Sequence, residues 1–415
     1  MKVLVIGGGG RCHAIIDALK RSSKVSEVFS APGNAGIAQI AKIVPIKEVE
    51  VEKLRDFALE EKIDLTVVGP EVALAAGVVD VFKEAGLRIF GPNKAAAQIE
   101  ASKEFAKELM KKYDIPTAGF ETFSDFDAAM EYVRAGSMPT VLKYDGLAAG
   151  KGVVIAQNIE EAEEALRDML LDTKFGKGKV VIEDFLDGPE FSFMCFVDGL
   201  NVYPMVLSQD HKRAYDGDLG PNTGGMGAYS PVPIISSEDE AWSLENVMRP
   251  TAAAMVSEGT PFSGVLYGGL IKSSNGIKVI EFNARFGDPE TEVVLPRLES
   301  DIFDIFSSIA DGVTPPSIEW SEDATLGIVL ASKGYPGDYT KGSAIKGLDK
   351  VEALMYHMGT EFKDGEFTNA GGRVMIVVGR GATLLEARES ALTQIEKIEC
   401  DNLFYRRDIG YKAFK

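Results

Sequence analysis

The sequence predicts a multidomain chain of α/β and α+β character. It should comprise an N-terminal domain on an open, mostly parallel sheet, a central domain with a small mobile flap, and a C-terminal α/β unit. Three observations carry this expectation. The first hundred residues alternate short apolar runs with amphipathic stretches, as strands alternate with crossover helices. At 415 residues the chain exceeds what one hydrophobic core sustains, and length points to about three domains. Late in the chain, Val279 to Glu290 sets polar groups at every second position, so one face of a strand is oily and the other chemical. The divisions fall at 1–101, 102–320 and 321–415, with the flap at about 120–190.

In the first unit, Val3 to Ile6, Glu27 to Phe29, Leu65 to Val68 and Leu87 to Phe90 are the expected strands. Ala14 to Lys20, Val51 to Lys62 and Gly77 to Glu84 are the helices between them. Ligands of such sheets lie at the carboxyl ends of strands. Those ends carry Gly7-Gly8-Gly9-Gly10-Arg11, Pro32-Gly33-Asn34-Ala35-Gly36 and Gly69-Pro70-Glu71. A helix that starts after a glycine run offers free N–H groups to an anion, so the first loop is a candidate phosphate cradle; glycines that only make the turn are the plainer alternative. A dinucleotide fingerprint fails here. The third glycine position is Cys12 or His13, and Phe29-Ser30-Ala31-Pro32 stands where a ribose-binding carboxylate would end the second strand, which disfavours a nicotinamide cofactor.

The second unit opens with an amphipathic helix, Lys103 to Lys112, then a helix from Phe126 to Val133 and a strand from Pro139 that ends in Lys143. Asp145-Gly-Leu-Ala-Ala-Gly-Lys-Gly152 follows, running into the strand Val153 to Ala156. Small residues let a backbone close over phosphates, and Lys151 adds a point charge. The loop is no Walker motif, since it lacks Gly-Lys-Ser/Thr entering a helix, and alone it reads equally as a hairpin turn. Val180 to Leu186 is an apolar strand ending in a candidate adenine-binding hinge, and Glu190 could accept from ribose hydroxyls.

On the late strand Glu281, Asn283 and Arg285 share one face and Ile280, Phe282 and Ala284 the other. A carboxylate beside an amide oxygen suits a hard divalent cation such as Mg²⁺, which leaves positions free for phosphate oxygens. Arg285 could grip a planar anion with its fork of donors. Asp288-Pro289 reads as an N-cap followed by Pro at the first helical position. A half-buried strand with a solvated face is the bland alternative; convergence of metal and anion chemistry favours a site.

Composition is that of a globular protein, 45% hydrophobic and 26% charged. A net charge of −19 argues against a nucleic-acid partner, so any anionic substrate must be drawn by local cations and helix N-termini. Three scattered cysteines, Cys12, Cys195 and Cys400, cannot make a disulfide framework and point to a reducing compartment. The N-terminus begins directly with a strand pattern rather than a signal peptide, and no apolar run spans a bilayer; a cytoplasmic location is expected. His13, His211 and His357 are too dispersed for a metal site; His211 lies in a polar insert where it could meet substrate, and His13 packs near its helix. From about Ala324 a third unit is expected, with strands at Leu326 to Ala331 and Val374 to Val378 and a helix from Thr383 to Lys397. Its Gly371-Gly-Arg373 could reach the site or simply pack over the first unit.

The order of these features, a lysine at a strand end, a glycine-rich flap, an apolar acidic hinge and a late Glu-x-Asn, resembles the ATP-grasp fold. Within it, Gln209-Asp-His-Lys-Arg213 and Gly217-Asp-Leu-Gly-Pro-Asn-Thr-Gly-Gly-Met-Gly-Ala-Tyr-Ser-Pro231 resemble the phosphoribosylamine-glycine ligase family of purine biosynthesis. The likeness runs from Gly9-Gly-Arg11, through Asn283-Ala-Arg-Phe-Gly-Asp-Pro-Glu-Thr291 and Ala331-Ser-Lys-Gly-Tyr-Pro336, to Gly371-Gly-Arg373 and Tyr405-Arg-Arg-Asp-Ile-Gly410.

The resemblance implies an ATP-dependent carboxylate-amine ligase. ATP would phosphorylate glycine, and the amine of 5-phosphoribosylamine would displace the phosphate. It implies Lys143, Lys151 and Arg285 as catalytic residues, with Arg285 on the glycine carboxylate. ATP would lie among Lys103, Lys143, Gly150, Lys151, Gly152, Glu183, Phe185, Leu186 and Glu190, and Mg²⁺ or Mn²⁺ on Glu281 and Asn283. Gly9, Gly10, Arg11, Asn34, Gly36 and Glu71 would hold the phosphoribosyl part. Asp210, His211, Arg213, Asn222, Thr223, Gly224, Gly225, Arg285 and Gly287 would line the glycine and sugar pocket. A monomer or small homo-oligomer, without nucleic acid or membrane, is expected.

Four positions depart from the family pattern. Cys12 replaces Glu, Ala73 replaces Pro, Pro189 replaces Glu and Glu292 replaces Gln. Cys12 is either a thiol of lowered pKa at a helix N-terminus or a small buried filler; Glu292 is favourable in a helix's first turn without any function. Another ATP-grasp ligase shares Glu281, Asn283 and the flap but needs no Asp210 to Tyr229 insert. A nucleotide-binding regulatory protein and a dehydrogenase are the remaining rivals.

Overall fold

A computed structural model describes residues 1–147, 152–172, 176 and 178–414. Strands β1 (Lys2–Gly7), β2 (Glu27–Pro32), β3 (Lys42–Ile43), β4 (Leu65–Val68) and β5 (Ile89–Phe90) form a parallel sheet in the order β3-β2-β1-β4-β5. Val3 to Ile6 have no exposure at all, as expected of a parallel strand covered on both faces. The covering helices are α1 (Gly10–Lys20), α2 (Val51–Glu60), α3 (Glu71–Ala75) and α4 (Val78–Glu84). The chain moves from β1 to β2 on one side and then to β4 on the other, so the crevice lies between the carboxyl ends of β1 and β4. Arg11 and Glu71 meet there at 3.3 Å. The first helix starts earlier than its apolar pattern suggests, at Gly10, and β3 and α3 were too short for periodicity to reveal.

Next, α5 (Gln98–Ala101) and α6 (Lys103–Lys112) lead into the flap. Ser102 caps α6 by accepting from the Phe105 N–H at 3.1 Å. The flap comprises β6 (Phe120–Phe123), α7 (Phe126–Ala135), β7 (Thr140–Tyr144), β8 (Val153–Ala156), α8 (Ile159–Leu166) and β9 (Val180–Asp184), its antiparallel sheet ordered β6-β9-β7-β8. It has its own small core of Met130, Val133, Leu142, Leu166, Val180 and Ile182.

The chain continues through β10 (Glu190–Asp198), β11 (Asn201–Pro204), β12 (Gln209–Asp210), β13 (Arg213–Tyr215), β14 (Leu219–Asn222) and β15 (Gly227–Ser230). After α9 (Ser237–Ser243) and α10 (Arg249–Ser257) come β16 (Ser263–Ser273) and β17 (Gly276–Asn283), then α11 (Thr291–Val294) and α12 (Ile302–Ala310). A second antiparallel sheet, β11-β10-β16-β17, faces the flap across a cleft. The last unit holds β18 (Ala324–Ser332), β19 (Ala344–Ile345), β20 (Leu354–His357), β21 (Thr360–Lys363), β22 (Glu366–Asn369), β23 (Arg373–Gly381), α13 (Leu384–Ile395) and β24 (Leu403–Phe404). Its main sheet runs β12-β15-β18-β23-β20, with β24 also on β18. Two strands of the central insert therefore belong to the C-terminal sheet, and pairing crosses the division expected at 320. No helix among the described residues is long and apolar enough to cross a membrane.

All three histidines are buried. His13 Nδ1 accepts the His357 N–H at 2.9 Å, and the His357 ring meets Thr360 Oγ1 at 2.8 Å, which ties the first unit to the last. Burial pushes His13 down to about 3 and His211 and His357 to about 4. These folded values lie below the unfolded 6.5, so on acidification the unfolded chain binds protons first. Stability is complete above about pH 6.5 and is lost as pH falls towards 4. Thermal unfolding should show a loss of roughly 2.5 kcal/mol per histidine at pH 4.5, and His357→Gln should flatten the dependence.

Candidate active site

The site is organised by an irregularity in β17. Gly269 pairs with Glu281 but Leu270 with Val279, so Ile280 is an extra, unpaired residue. A bulge of this kind re-aims the side chains around it. Strict alternation would bury Ile280 with Phe282; instead Ile280 and Glu281 are both partly exposed on the cleft, whereas Val279 and Phe282 are buried, Phe282 within the cleft wall. The oily face expected of Ile280, Phe282 and Ala284 thus holds for the last two only. The freed Ile280 carbonyl accepts the Lys143 ammonium at 2.9 Å.

The cleft encloses about 420 Å³. Its apolar lining comprises Ile99, Ala106, Met110, Val141, Ile155, Phe185, Leu186, Ile271 and Phe282. Its polar lining is strongly charged. Burial alone would raise the Glu281 pKa, but Lys212, Lys143, Lys103 and Arg285 outweigh it and hold the carboxylate below its usual range. Three of these cations, Lys143, Lys212 and Arg285, also pair with Glu183, Glu190, Glu71 and Glu100, so the cleft offers a polyphosphate local cationic partners against the overall −19, not an excess of positive charge. Among the described residues no three His, Cys, Asp or Glu side chains form a metal cluster. A divalent cation would rest on Glu281 and Asn283 with the remaining positions left to phosphates, and these hard oxygens fit it.

The first and third units supply the far wall. Arg285 reaches Glu71 at 3.3 Å and Glu100 at 2.8 Å, and donates to Asn283 Oδ1 at 3.1 Å and to the Phe286 carbonyl at 3.2 Å. Its terminal nitrogens are thus engaged by protein partners, while Nε meets Glu71 as an ion pair without a hydrogen bond, so the free fork expected for a glycine carboxylate is largely occupied. Against burial, Arg11 and Arg285 hold Glu71 at about 2. Arg373 enters from β23, donating to the Gly224 carbonyl at 2.7 Å and the Asp288 carbonyl at 3.0 Å and pairing with the Asp288 carboxylate at 3.0 Å. Asp288 therefore serves Arg373, the Arg11 side chain and the Arg11 N–H in the first turn of α1 rather than capping the helix that follows it, and α11 begins only at Thr291.

The insert contributes by alternation. Gln209 and His211 are buried, whereas Asp210 and Lys212 line the cleft. Burial, with Glu290 and Glu190 nearby, pushes Asp210 up to about 7 against the pull of Lys212. Lys212 pairs with Glu190 at 2.7 Å. Glu290 is buried and accepts from Ser192 at 3.0 Å and Tyr267 at 2.8 Å.

Comparison with known proteins decides the relationship. The phosphoribosylglycinamide synthetase N domain matches residues 1–100, its ATP-grasp (A) domain 101–291 and its C domain 325–412. The chain belongs to the phosphoribosylglycinamide synthetase family. It is 53% identical over 417 residues to the phosphoribosylamine–glycine ligase of Halalkalibacterium halodurans, covering 100% of this chain and 97% of that protein. To the Listeria innocua ligase it is 51% identical, with both proteins covered in full. The crystal structure of the Thermotoga maritima ligase superposes with a TM-score of 0.88 at 34% identity over 99% of this chain and 100% of that one. A Campylobacter jejuni biotin carboxylase structure shares the fold alone, with a TM-score of 0.75 at 14% identity over 98% of this chain and 93% of that one.

Within the synthetase framework, most of the expected site residues converge. Arg11, Glu71, Lys103, Lys143, Gly152, Glu183, Phe185, Leu186, Glu190, Asp210, Asn222, Thr223, Gly224, Glu281, Asn283 and Arg285 all line the cleft. Gly150 and Lys151 lie outside the described residues. Others are consumed by packing. Asn34 Oδ1 accepts the Gly36 and Ile37 N–H groups, and its amide donates to the Gly8 and His357 carbonyls. A Cβ on Gly36 would strike the His357 ring, and one on Gly10 would strike Glu292. Gly9 starts α1 beside Asp288, so carboxylates stand at the expected phosphate cradle. His211 has no exposure and accepts the Gly410 N–H at 3.0 Å, a structural role in place of substrate contact. Arg213 holds the Gly220 carbonyl at 2.8 Å, Gly225 packs on Pro289 and Arg373, and Gly287 packs on Glu290 and Tyr267.

Sequence reasoning missed Lys212, Glu290, Glu100 and Tyr267. Period-two alternation through Gln209 to Lys212 could have exposed Lys212; Glu100 carries no local signal. Of the departures from the synthetase pattern, Cys12 is the filler: it is 1% exposed, and burial pushes its thiol up to about 12. Glu292 is not the benign first-turn carboxylate expected. It is fully buried, neither oxygen finds a hydrogen-bond partner, and burial followed by Asp288 drives its pKa well up.

Proposed function

We infer that this chain ligates glycine to 5-phosphoribosylamine at the expense of ATP, a step of purine biosynthesis, through a glycyl phosphate. The observation that carries the reading is the cluster of Lys103, Lys143, Lys212 and Arg285 around Glu281 in a cleft that also has an apolar lining. The apolar lining takes adenine, Glu190 the ribose, and Lys103 and Lys143 the phosphates. A divalent cation, Mg²⁺ or Mn²⁺, held by Glu281 and Asn283 would supply charge neutralisation on the phosphate oxygens. Phosphoryl transfer then needs mainly positioning and electrostatics from the protein.

Glycine lies beyond the γ-phosphate, its carboxylate drawn to Lys212 and to the charge of Arg285, whose fork stays on Glu71 and Glu100, and its ammonium to Asp210 and Glu290. A carboxylate oxygen of glycine takes the phosphoryl group and ADP leaves. The amine of the sugar attacks the acyl carbon, phosphate departs and the amine loses a proton. Asp210, whose affinity for a proton is raised by burial, is the carboxylate placed to receive that proton. Arg11, Glu71 and Asn222 to Gly224 face the phosphoribosyl end.

The test is ADP release by the purified protein with MgATP, glycine and freshly generated phosphoribosylamine, omitting each in turn. Release only from the full mixture, with the glycyl amide as product, is expected. ATP hydrolysis that ignores glycine or the amine would overturn the reading.

A further inference from the structure

Lys107 is unusual in being a lysine only 2% exposed, on the inner face of α6, and the reaction as described does not use it. Its ammonium lies 2.7 Å from Glu183 Oε2, while Glu183 Oε1 lies 2.9 Å from the Lys143 ammonium. On its other side Lys107 donates to Thr117 Oγ1 at 2.7 Å, and Thr117 donates to the Val279 carbonyl at 2.8 Å. Lys143 donates to the next carbonyl along β17, that of Ile280, at 2.9 Å. The contacts close a ring: Val279, Thr117, Lys107, Glu183, Lys143, Ile280. It begins and ends on consecutive residues of β17, at the bulge and immediately before Glu281.

We propose that Lys107 is a positioning residue that fixes the Lys143 ammonium and the bulged strand for nucleotide-phosphate chemistry. This rests on the assignment of ATP to the cleft. Two ammoniums share one buried carboxylate, so the trio keeps a net positive charge. Without Lys107, Glu183 would neutralise Lys143 alone and be free to swing, and the charge facing the phosphates would fall. Removing one member of a buried charged network also leaves its partner uncompensated. The groups facing Lys107 are Glu183 and Asp184 from β9, Lys143 from β7 and the Phe120 ring from β6, 5.7 Å away. Burial, only partly offset by Glu183, brings Lys107 down to about 8, so its charge is lost within the working range of an assay.

The experiment compares Lys107→Met and Lys107→Arg with the parent chain in steady-state kinetics for each substrate, with pH profiles and direct MgADP titration. For Lys107→Met, kcat/KM for ATP should fall about a hundredfold, the loss from misplacing a reacting group by about 1 Å. The KM values for glycine and the amine should not move. The parent should lose activity above about pH 8, with Lys107; Lys107→Arg, which does not titrate there, should restore activity and lack that limb. Unchanged kcat/KM for ATP in Lys107→Met, or equal losses on all three substrates with the alkaline limb retained, overturns the proposal. If Lys107→Met fails to fold, Thr117→Val must shift the ATP parameters in the same direction, and unaltered values overturn it. Should the parent chain itself make no glycyl amide, the ligase reading fails separately. MgADP affinity then becomes the readout, and equal affinity in parent and variant overturns the role of Lys107.

Discussion

Replacing Glu281 with glutamine is expected to abolish ADP formation while leaving the fold intact. Glu281 is half-buried and faces the cleft, so its removal costs little packing. The carboxylate is held below its usual pKa range by Lys212, Lys143, Lys103 and Arg285 against burial. An amide keeps the shape and one oxygen but no charge. If the metal supplies several kcal/mol of transition-state stabilisation, turnover should fall about a thousandfold, since ~1.4 kcal/mol is a decade. Free ATP should bind at least as well as before, because the four cations remain and one negative charge among them is gone; MgATP should bind less well. Turnover measured beside nucleotide titration with and without Mg²⁺ checks both statements. Normal turnover, or equal loss of ATP and MgATP binding, would remove the metal assignment.

What could be read in advance divides along the range of the interactions. Leu65–Val68, Lys103–Lys112 and Val153–Ala156 have the bounds their own patterns predict, because apolar spacing and the Ser102 cap are local. Glu281, Asn283 and Arg285 do meet one cleft. The bulge that brings Ile280 beside them depends on the neighbouring β16, which nothing in β17 itself records. Arg285 looked like a free anion fork because Glu71 and Glu100, its partners, are far away in sequence. The insert was legible as chemistry but not as structure: β12 and β15 join a sheet whose other strands lie beyond residue 320, which buries His211 and turns Lys212 outward. Glycines misled in the same way. Gly10 and Gly36 read as phosphate loops, yet each is small because a side chain from the central or last unit fills the space.

Arg285→Met is expected to be the most destabilising of these changes as well as an inactivating one. Glu100, its side chain 8% exposed, accepts the Ala284 N–H at 2.8 Å and pairs with Arg285 at 2.8 Å. Burial already raises the Glu100 pKa, with Arg285 opposing and Glu71 adding to the rise. Without the guanidinium Glu100 is left without its cation beside Glu71, which keeps Arg11 at 3.3 Å, and loss of one partner of a buried pair costs about 3–5 kcal/mol. The relief available is protonation of Glu100. A carboxyl whose folded pKa exceeds its unfolded value gains stability as pH falls, so between pH 7 and 5 the variant should recover part of its deficit, against the acid loss set by the histidines. Arg285→Met/Glu100→Gln should restore stability at pH 7 in chemical denaturation, since it removes the stranded charge. It should not restore turnover, because Asn283 loses the donor that orients its oxygen and the cleft loses a cation. Recovery of both would reduce Arg285 to a structural bridge, whereas recovery of stability alone keeps it in the chemistry of the site.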